Sequence, residues 1–380
     1  MKALINGKVI LEDSIVEEKV LIFDDKIKDI KDDYNLDYSI FDEVIDANGA
    51  FVSPGFIDVH IHGNGGSDTM DGTIDALKTI SSSIAKNGVT SFLPTTCTMS
   101  NEKIQIVLNT IRLAMKDKMP GATVLGAHLE GPFINKSYKG AQNEKYILLP
   151  DFKLIQNHLD VVKIVSYAPE KDNNFEFAKK VTENSDIILS IGHTMASYET
   201  AIEAIKEGIS HVTHTFNAMT PLKHREPGVV GAAFTTDVNC EIIADMIHIH
   251  PSLFQFIINV KGIDHTLLIT DSMKAGNIEK GSYDLGGLKV IVDDNSARLE
   301  NGTLAGSILK MNNAIKNIFN NTNLSLPEVI KMASLNQARE LKLDEYIGSI
   351  SKGKNADITI FNDSFEVNKT FVNGKIVYGR

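Results

Sequence analysis

Through the middle of this chain, short apolar runs alternate with helix-like segments, and run after run stops on a polar side chain. The runs end at His60/His62, Thr95, Glu130, Glu170, His193, His214, His248 and Asp271. Eight strand-like runs separated by helical segments close into a parallel barrel, because each parallel crossover needs an intervening helix. The expected fold class is therefore α/β, a (β/α)8 TIM-like barrel. In such a barrel the chemistry sits at the C-terminal strand ends, where these His, Glu and Asp residues fall.

The two chain ends read differently. Segments such as KALINGKVIL, KVLIFDDKIKDI and FDEVIDANGAFVSPG are short, β-rich and separated by acidic or glycine turns. ADITIFND and FEVNKTFVNGKIVYG at the other end share that character, with Asn373-Gly374 as a hairpin turn. We expect residues 1–53 and 352–380 to form one small β-sandwich around a barrel of residues 54–351, with a true internal repeat as the alternative. Within the barrel, Ile74, Leu77, Ile80 and Ile84 share one helix face that ends before Gly88, and read as core packing. Further helices are expected near 101–117, 174–183, 197–206, 251–260, 306–320 and 326–341, and a hairpin inserted over 281–301.

A length of 380 residues suits a barrel with a smaller unit attached. The net charge of −11 opposes nonspecific binding to nucleic acid or anionic membrane. It leaves room for a phosphorylated small molecule, which one Arg or His can bind locally. Two cysteines, Cys97 and Cys240, are too few for a disulfide framework. With no signal-peptide pattern and no run long enough to span a bilayer, a cytoplasmic protein is expected.

His60 and His62 lie two apart at a strand tip, so both imidazoles point the same way and can chelate one divalent cation. An isolated pair of this kind is equally well two packed loop histidines; the other tips decide against that. Glu130 in HLEGPF ends its strand at Gly131-Pro132, where a carboxylate can bind a metal or bridge two. A lone strand-end histidine is usually structural, but His193 and His214 end consecutive strands beside that glutamate. His128 is expected behind the ligands or in the core, and His211, by parity opposite His214, in a structural role. Asp271 ends the eighth strand. It could cap a turn, but beside a metal it suits a general base.

The HxH, LEGPF, GHT, HTFNAM, HREPG and TDSM motifs together resemble the amidohydrolase superfamily, and within it the N-acetylglucosamine-6-phosphate deacetylases. The similarity runs from the first β-segments through LAGS to KGKNADITIF. It implies that Glu130, His193 and His214 hold the main ion, and that His60 and His62 add a second. One or two divalent ions per subunit are expected, zinc or iron first, with manganese or cobalt possible. The resemblance also implies that Asn217, Ala218, His248 and Arg225 meet the sugar or its phosphate. Ala141 and Gln142 would lie at the acetamide, and the backbone of Leu304, Ala305 and Gly306 would line the acetyl pocket. Where some relatives have a histidine, Gln142 donates a hydrogen bond without a charge. The implied reaction is hydrolytic deacetylation of N-acetyl-D-glucosamine 6-phosphate by a metal-activated water, with Asp271 as base. A homodimer is implied, its HREPG arm entering the neighbour's site.

Two other readings compete. A deaminase or cyclic amidase could use the same scaffold, but cyclic amidases of this superfamily bridge two metals with a lysine on the fourth strand, and that strand ends here in SYAPE. A noncatalytic descendant would have lost ligands, and this chain keeps them all.

Overall fold

The computed structural model describes residues 1–33, 36–294 and 296–379. Eight parallel strands form the centre: β1 (Phe56–Ile61), β2 (Val89–Pro94), β3 (Ala127–Glu130), β4 (Val162–Tyr167), β5 (Ile188–Ile191), β6 (His211–Val212), β7 (Asn239–Ile243) and β8 (Thr266–Ile269). Strands β3 to β8 make one six-stranded sheet in chain order, while β1 pairs with β2, and β2 in turn with Thr123–Val124. Two seams close the ring. A parallel bridge joins Thr95 to His128, and the Asp271 N–H donates to the His60 carbonyl at 2.9 Å. Asp58 reinforces the second seam by accepting from the Thr270 hydroxyl at 2.6 Å.

The helices pack outside this ring because each presents an apolar stripe at helical spacing. Helix α1 (Ile74–Ala85) starts where the Thr73 hydroxyl accepts from the Ala76 N–H, and it buries Leu77, Ile80 and Ile84. Each such side chain removed from water contributes roughly 1.5–3 kcal/mol. The helices α2 (Asn101–Ala114), α3 (Glu176–Asn184), α4 (Tyr198–Lys206), α5 (Gly228–Phe234), α6 (Phe254–Lys261) and α7 (Met311–Asn321) follow.

Three segments differ from expectation. The helix read over 326–341 is two, α8 (Leu326–Lys331) and α9 (Leu335–Glu340), broken at Ser334. The break lets the amides of Asn336 and Gln337 donate to the Thr266 and Leu268 carbonyls at 2.9 Å each. The helix read from 306 starts at Met311. The hairpin over 281–301 is a three-stranded antiparallel sheet, Gly281–Leu285, Leu288–Val292 and Ala297–Leu299.

Both chain ends meet in one six-stranded sheet, in which Ile358–Phe361 pairs antiparallel with Phe51–Pro54. A four-stranded sheet of N-terminal segments lies against it, with Leu4, Leu21, Phe23, Val52, Ile358 and Phe371 buried between them. Asn373 and Gly374, both at positive φ, turn the last hairpin. No helix among the described residues is long and apolar enough to cross a membrane.

Candidate active site

Glu130, the last residue of β3, is buried at the C-terminal mouth of the barrel. Four imidazoles aim Nε2 at its carboxylate. Oε1 lies 3.3 Å from His60, 3.2 Å from His193 and 3.1 Å from His214, and Oε2 lies 3.3 Å from His62. Asp271 closes the group, with Oδ1 3.2 Å from His62 Nε2 and 3.6 Å from His60 Nε2. The parity argument for His60 and His62 holds in this geometry: both rings face the barrel axis.

Behind each ring, Nδ1 has an acceptor. His60 Nδ1 faces Glu241 Oε2 at 2.8 Å, and His62 Nδ1 faces the Thr95 carbonyl at 3.3 Å. His193 Nδ1 faces the Tyr138 carbonyl at 2.9 Å, and His214 Nδ1 faces the Asn217 carbonyl at 3.1 Å. A proton held on Nδ1 leaves the Nε2 lone pair free, which is the arrangement of metal-binding histidines.

The donor set fits a divalent cation on three observations. His60 Nε2 is buried without a hydrogen-bond partner. The Nε2 atoms of His193 and His214 face each other at 3.2 Å, a contact between two lone pairs unless a cation lies against both. His60, His62 and Glu130 form one potential ligand group and Glu130, His193 and His214 another. Electrostatics agrees. Burial opposes charge on His60, but Glu241 and Glu130 outweigh it and hold the ring's affinity for a proton well above the ordinary value. A field that draws a proton onto a buried imidazole also attracts a metal ion. Asp271 is likewise opposed by burial, yet its contact with His62 and the nearby His60 hold it below the usual carboxylate range.

Strand tips reach this convergence through unusual backbone. His193, His214 and Asp271 have φ of 48°, 28° and 49°, left-handed conformations that side chains other than glycine rarely adopt. At Gly306 (φ 62°) an added Cβ would fall 2.9 Å from the Asp271 carbonyl oxygen, so the loop approaches the eighth tip too closely for a side chain.

A cavity of about 510 Å³ opens above the cluster, lined by Glu130, His62, His193, His214 and Asp271 at its floor. Ala141, Gln142, Asn217, Ala218, His248, Leu304 and Gly306 also line it. Ala305 is buried behind this lining, its N–H donating to the Ala297 carbonyl at 3.0 Å. Gln142 is committed to the cluster: Nε2 donates to Glu130 Oε2 and Oε1 accepts from the Thr98 N–H, both at 2.6 Å. His248 is held by Asp245, with Nδ1 2.7 Å from Oδ2. Arg225 does not join the others; it lies on the exposed loop 221–226, outside the cavity of its own chain. His128 is core, its ring between the Val59 carbonyl and the Ser166 hydroxyl, where burial and the neighbouring His60 push it down to about 3.

Two residues escaped the sequence reading. Arg298, from the inserted sheet, lines the cavity and is braced by the Gly302 carbonyl at 2.9 Å. Glu241 stands behind His60. Its signal was available as a lone carboxylate inside the apolar run CEIIA, in a strand that must be buried.

Known proteins resemble this chain over most of its length. The sequence profile of the amidohydrolase family matches residues 51–377. An N-acetylglucosamine-6-phosphate deacetylase of Bacillus subtilis (strain 168) is 41% identical over 333 residues, covering 86% of this chain and 84% of the relative. The chain belongs to this deacetylase family of amidohydrolases. The solved structure of the N-acetylglucosamine-6-phosphate deacetylase from Pasteurella multocida superposes with a TM-score of 0.94 at 30% identity, covering 99% of both chains. A mutant deacetylase of Mycobacterium smegmatis, solved in complex with N-acetyl-D-glucosamine-6-phosphate, superposes with a TM-score of 0.91 at 26% identity over 99% of both chains. Amidohydrolases are metal-dependent, and this chain has side-chain clusters able to bind metal.

Proposed function

We infer that this enzyme hydrolyses the acetamide of N-acetyl-D-glucosamine 6-phosphate to D-glucosamine 6-phosphate and acetate. The observation that carries the reading is the convergence of four Nε2 atoms and Asp271 on Glu130 beneath a sugar-sized cavity. The names borne by the relatives supply the substrate. Glu130, His193 and His214 would hold one divalent ion, and His60 and His62, with Glu130 between, a second; zinc or iron is the first choice, manganese or cobalt the alternative. Such an ion supplies Lewis acidity toward a carbonyl oxygen and lowers the pKa of water. Asp271 takes the proton of the attacking water and delivers it to the departing C2 amine. Gln142 orients Glu130 from the acetamide side beside Ala141, and the backbone of Leu304, Ala305 and Gly306 shapes the acetyl pocket. Asn217, Ala218 and His248 face the sugar and its phosphate.

Arg225 completes the phosphate site from a neighbouring copy. Two features support a homodimer: Arg225 stands clear of its own cavity, and Leu253, Phe256 and Val260 leave one face of α6 and its lead-in exposed, with Leu222 exposed on the Arg225 loop. Residues 1–53 and 352–380 form one unit of this enzyme and residues 54–351 the other. Two buried free thiols suit a cytoplasmic enzyme.

The test is free-amine release from N-acetylglucosamine 6-phosphate by metal-replete protein, with the unphosphorylated sugar alongside. Release from the phosphate ester alone supports the assignment. Metal-loaded protein that releases amine from neither compound overturns it. Chelation should abolish turnover, and zinc or ferrous iron should restore it.

A further inference from the structure

Behind the metal cluster runs a second ionisable chain that the reaction above does not use. Glu241, on β7, is fully buried in the barrel interior, a position that branched apolar side chains ordinarily fill. Its Oε2 accepts from His60 Nδ1 at 2.8 Å and from the His214 backbone N–H at 2.9 Å. Its Oε1 lies 3.1 Å from Nε2 of His211 on β6, an ion-pair contact without hydrogen-bond alignment. His211 Nδ1 in turn lies 3.0 Å from Glu340 Oε1 at the end of α9. Glu340 Oε2 accepts from the Asn239 amide, and Asn239 Oδ1 faces His265 Nδ1 at 3.0 Å. Asn239, His265 and Glu340 line an open cleft at the N-terminal ends of β7 and β8, so the chain crosses the barrel from the ligand end to the opposite end.

His211 is sandwiched between carboxylates. Burial opposes its charge, but Glu241 and Glu340 outweigh that and lift it to about 9. A buried ion network of this kind contributes little to stability compared with apolar packing, because desolvation offsets its attraction. Its presence therefore asks for a role beyond holding the fold. The four ligand histidines also differ. His193 and His214 rest Nδ1 on backbone carbonyls, and His62 on a carbonyl and the Cys97 thiol. Only His60 rests on an anion, and only that anion is braced from across the barrel.

The geometry points to Glu241, braced by His211 and Glu340, as the positioning residue that keeps Nε2 of His60 directed at Glu130. The brace thereby governs how tightly the His60–His62 position holds its ion, and leaves the Glu130–His193–His214 position to bind on its own. This inference rests on the metal-centre reading above. It needs no substrate to test.

Apo-protein would be titrated with Co2+ alone. Bound ions per chain would be counted by elemental mass spectrometry after gel filtration, and each site followed through the visible absorption of bound Co2+. The wild-type chain takes up two ions. Glu241→Gln keeps an oxygen acceptor for the His214 N–H but removes the charge, and should weaken the second ion by about tenfold to a hundredfold with the first unchanged. Glu340→Gln, at the far end of the brace, should act in the same direction with a smaller effect, and carries the test if Glu241→Gln does not fold. Unchanged second-ion affinity in the folded variants overturns the inference. So does equal weakening of both ions, which general loosening of the barrel would produce, or a wild-type chain that takes up one ion. A wild-type chain that takes up no Co2+ defeats the metal-centre reading itself.

Discussion

Asp271 shows how much one residue's backbone decides. A strand end in ordinary β geometry would carry the next side chain past the barrel mouth; the left-handed φ at His193, His214 and Asp271 turns each tip back over the axis. For Asp271 as base, Asp271→Asn keeps the shape and loses the proton acceptor. Its kcat should fall about a hundredfold to ten-thousandfold while the metal content stays at the wild-type value. Steady-state kinetics alongside elemental analysis checks this, and wild-type turnover would defeat the assignment. Gly306→Ala is a second probe. Its Cβ would meet the Asp271 carbonyl at 2.9 Å, so the loop or the base must shift. A drop in kcat of about tenfold or more is expected, since misplacements on the ångström scale are costly in catalysis; the same assay reads it. The residues that gather around Glu130 were legible because a polar side chain ending an apolar run has few reasons to be there. Glu241 was legible only as a carboxylate bound for the interior, because such a run gives no sign of which imidazole it meets.

At the scale of elements, period and punctuation carried most of the fold. The barrel strands and the helices over 74–85 and 101–114 follow from apolar spacing and from the polar or glycine positions that end each run. The split between α8 and α9 does not, because the break is compensated by Asn336 and Gln337 donating to carbonyls on the barrel, partners distant in sequence. The hairpin carrying Asn373 offers a prediction on pH. Asp357 is buried, and although it accepts from the Asn373 N–H, burial raises it to about 6. A carboxyl whose folded pKa lies above its unfolded one, near 3.9, binds its proton more tightly in the native state. Stability is therefore lost as pH rises from about 4 to about 6, by roughly 3 kcal/mol in all. Asp357→Asn removes this penalty and still offers an oxygen to Asn373. Denaturant unfolding should show the variant close to wild type at pH 4, more stable at pH 7, and no further gain above that. An advantage independent of pH would refute the cause.

For the whole molecule, the open question is whether one chain makes one complete site. Arg225 belongs to the phosphate-reading set by resemblance, yet it sits outside its own cavity. In a homodimer with crossed arms, Arg225→Ala should raise KM about tenfold to a hundredfold for the phosphorylated sugar and change kcat little, because a charged hydrogen bond contributes about 1.5–3 kcal/mol. Mixing and re-pairing Arg225→Ala with Asp271→Asn chains then separates the arrangements. Crossed arms give each mixed dimer one intact site, so about a quarter of all sites should recover wild-type kinetics. An arm that serves its own chain leaves every site defective.

The order of strands and helices, the polar residues at the strand tips and the pairing of the two chain ends were all determined by the sequence itself. These properties are local: they depend on periodicity, on turn chemistry, and on polar groups placed where only apolar ones belong. Which side chain meets which was decided by the tertiary structure. Closing the ring brings His60 beside Asp271, turns Gln142 onto Glu130, leaves Arg225 outside, and threads Glu241, His211 and Glu340 through the core. Such contacts join residues as far apart as β1 and β8, and their distances follow from the closed packing of the whole barrel rather than from any segment of it.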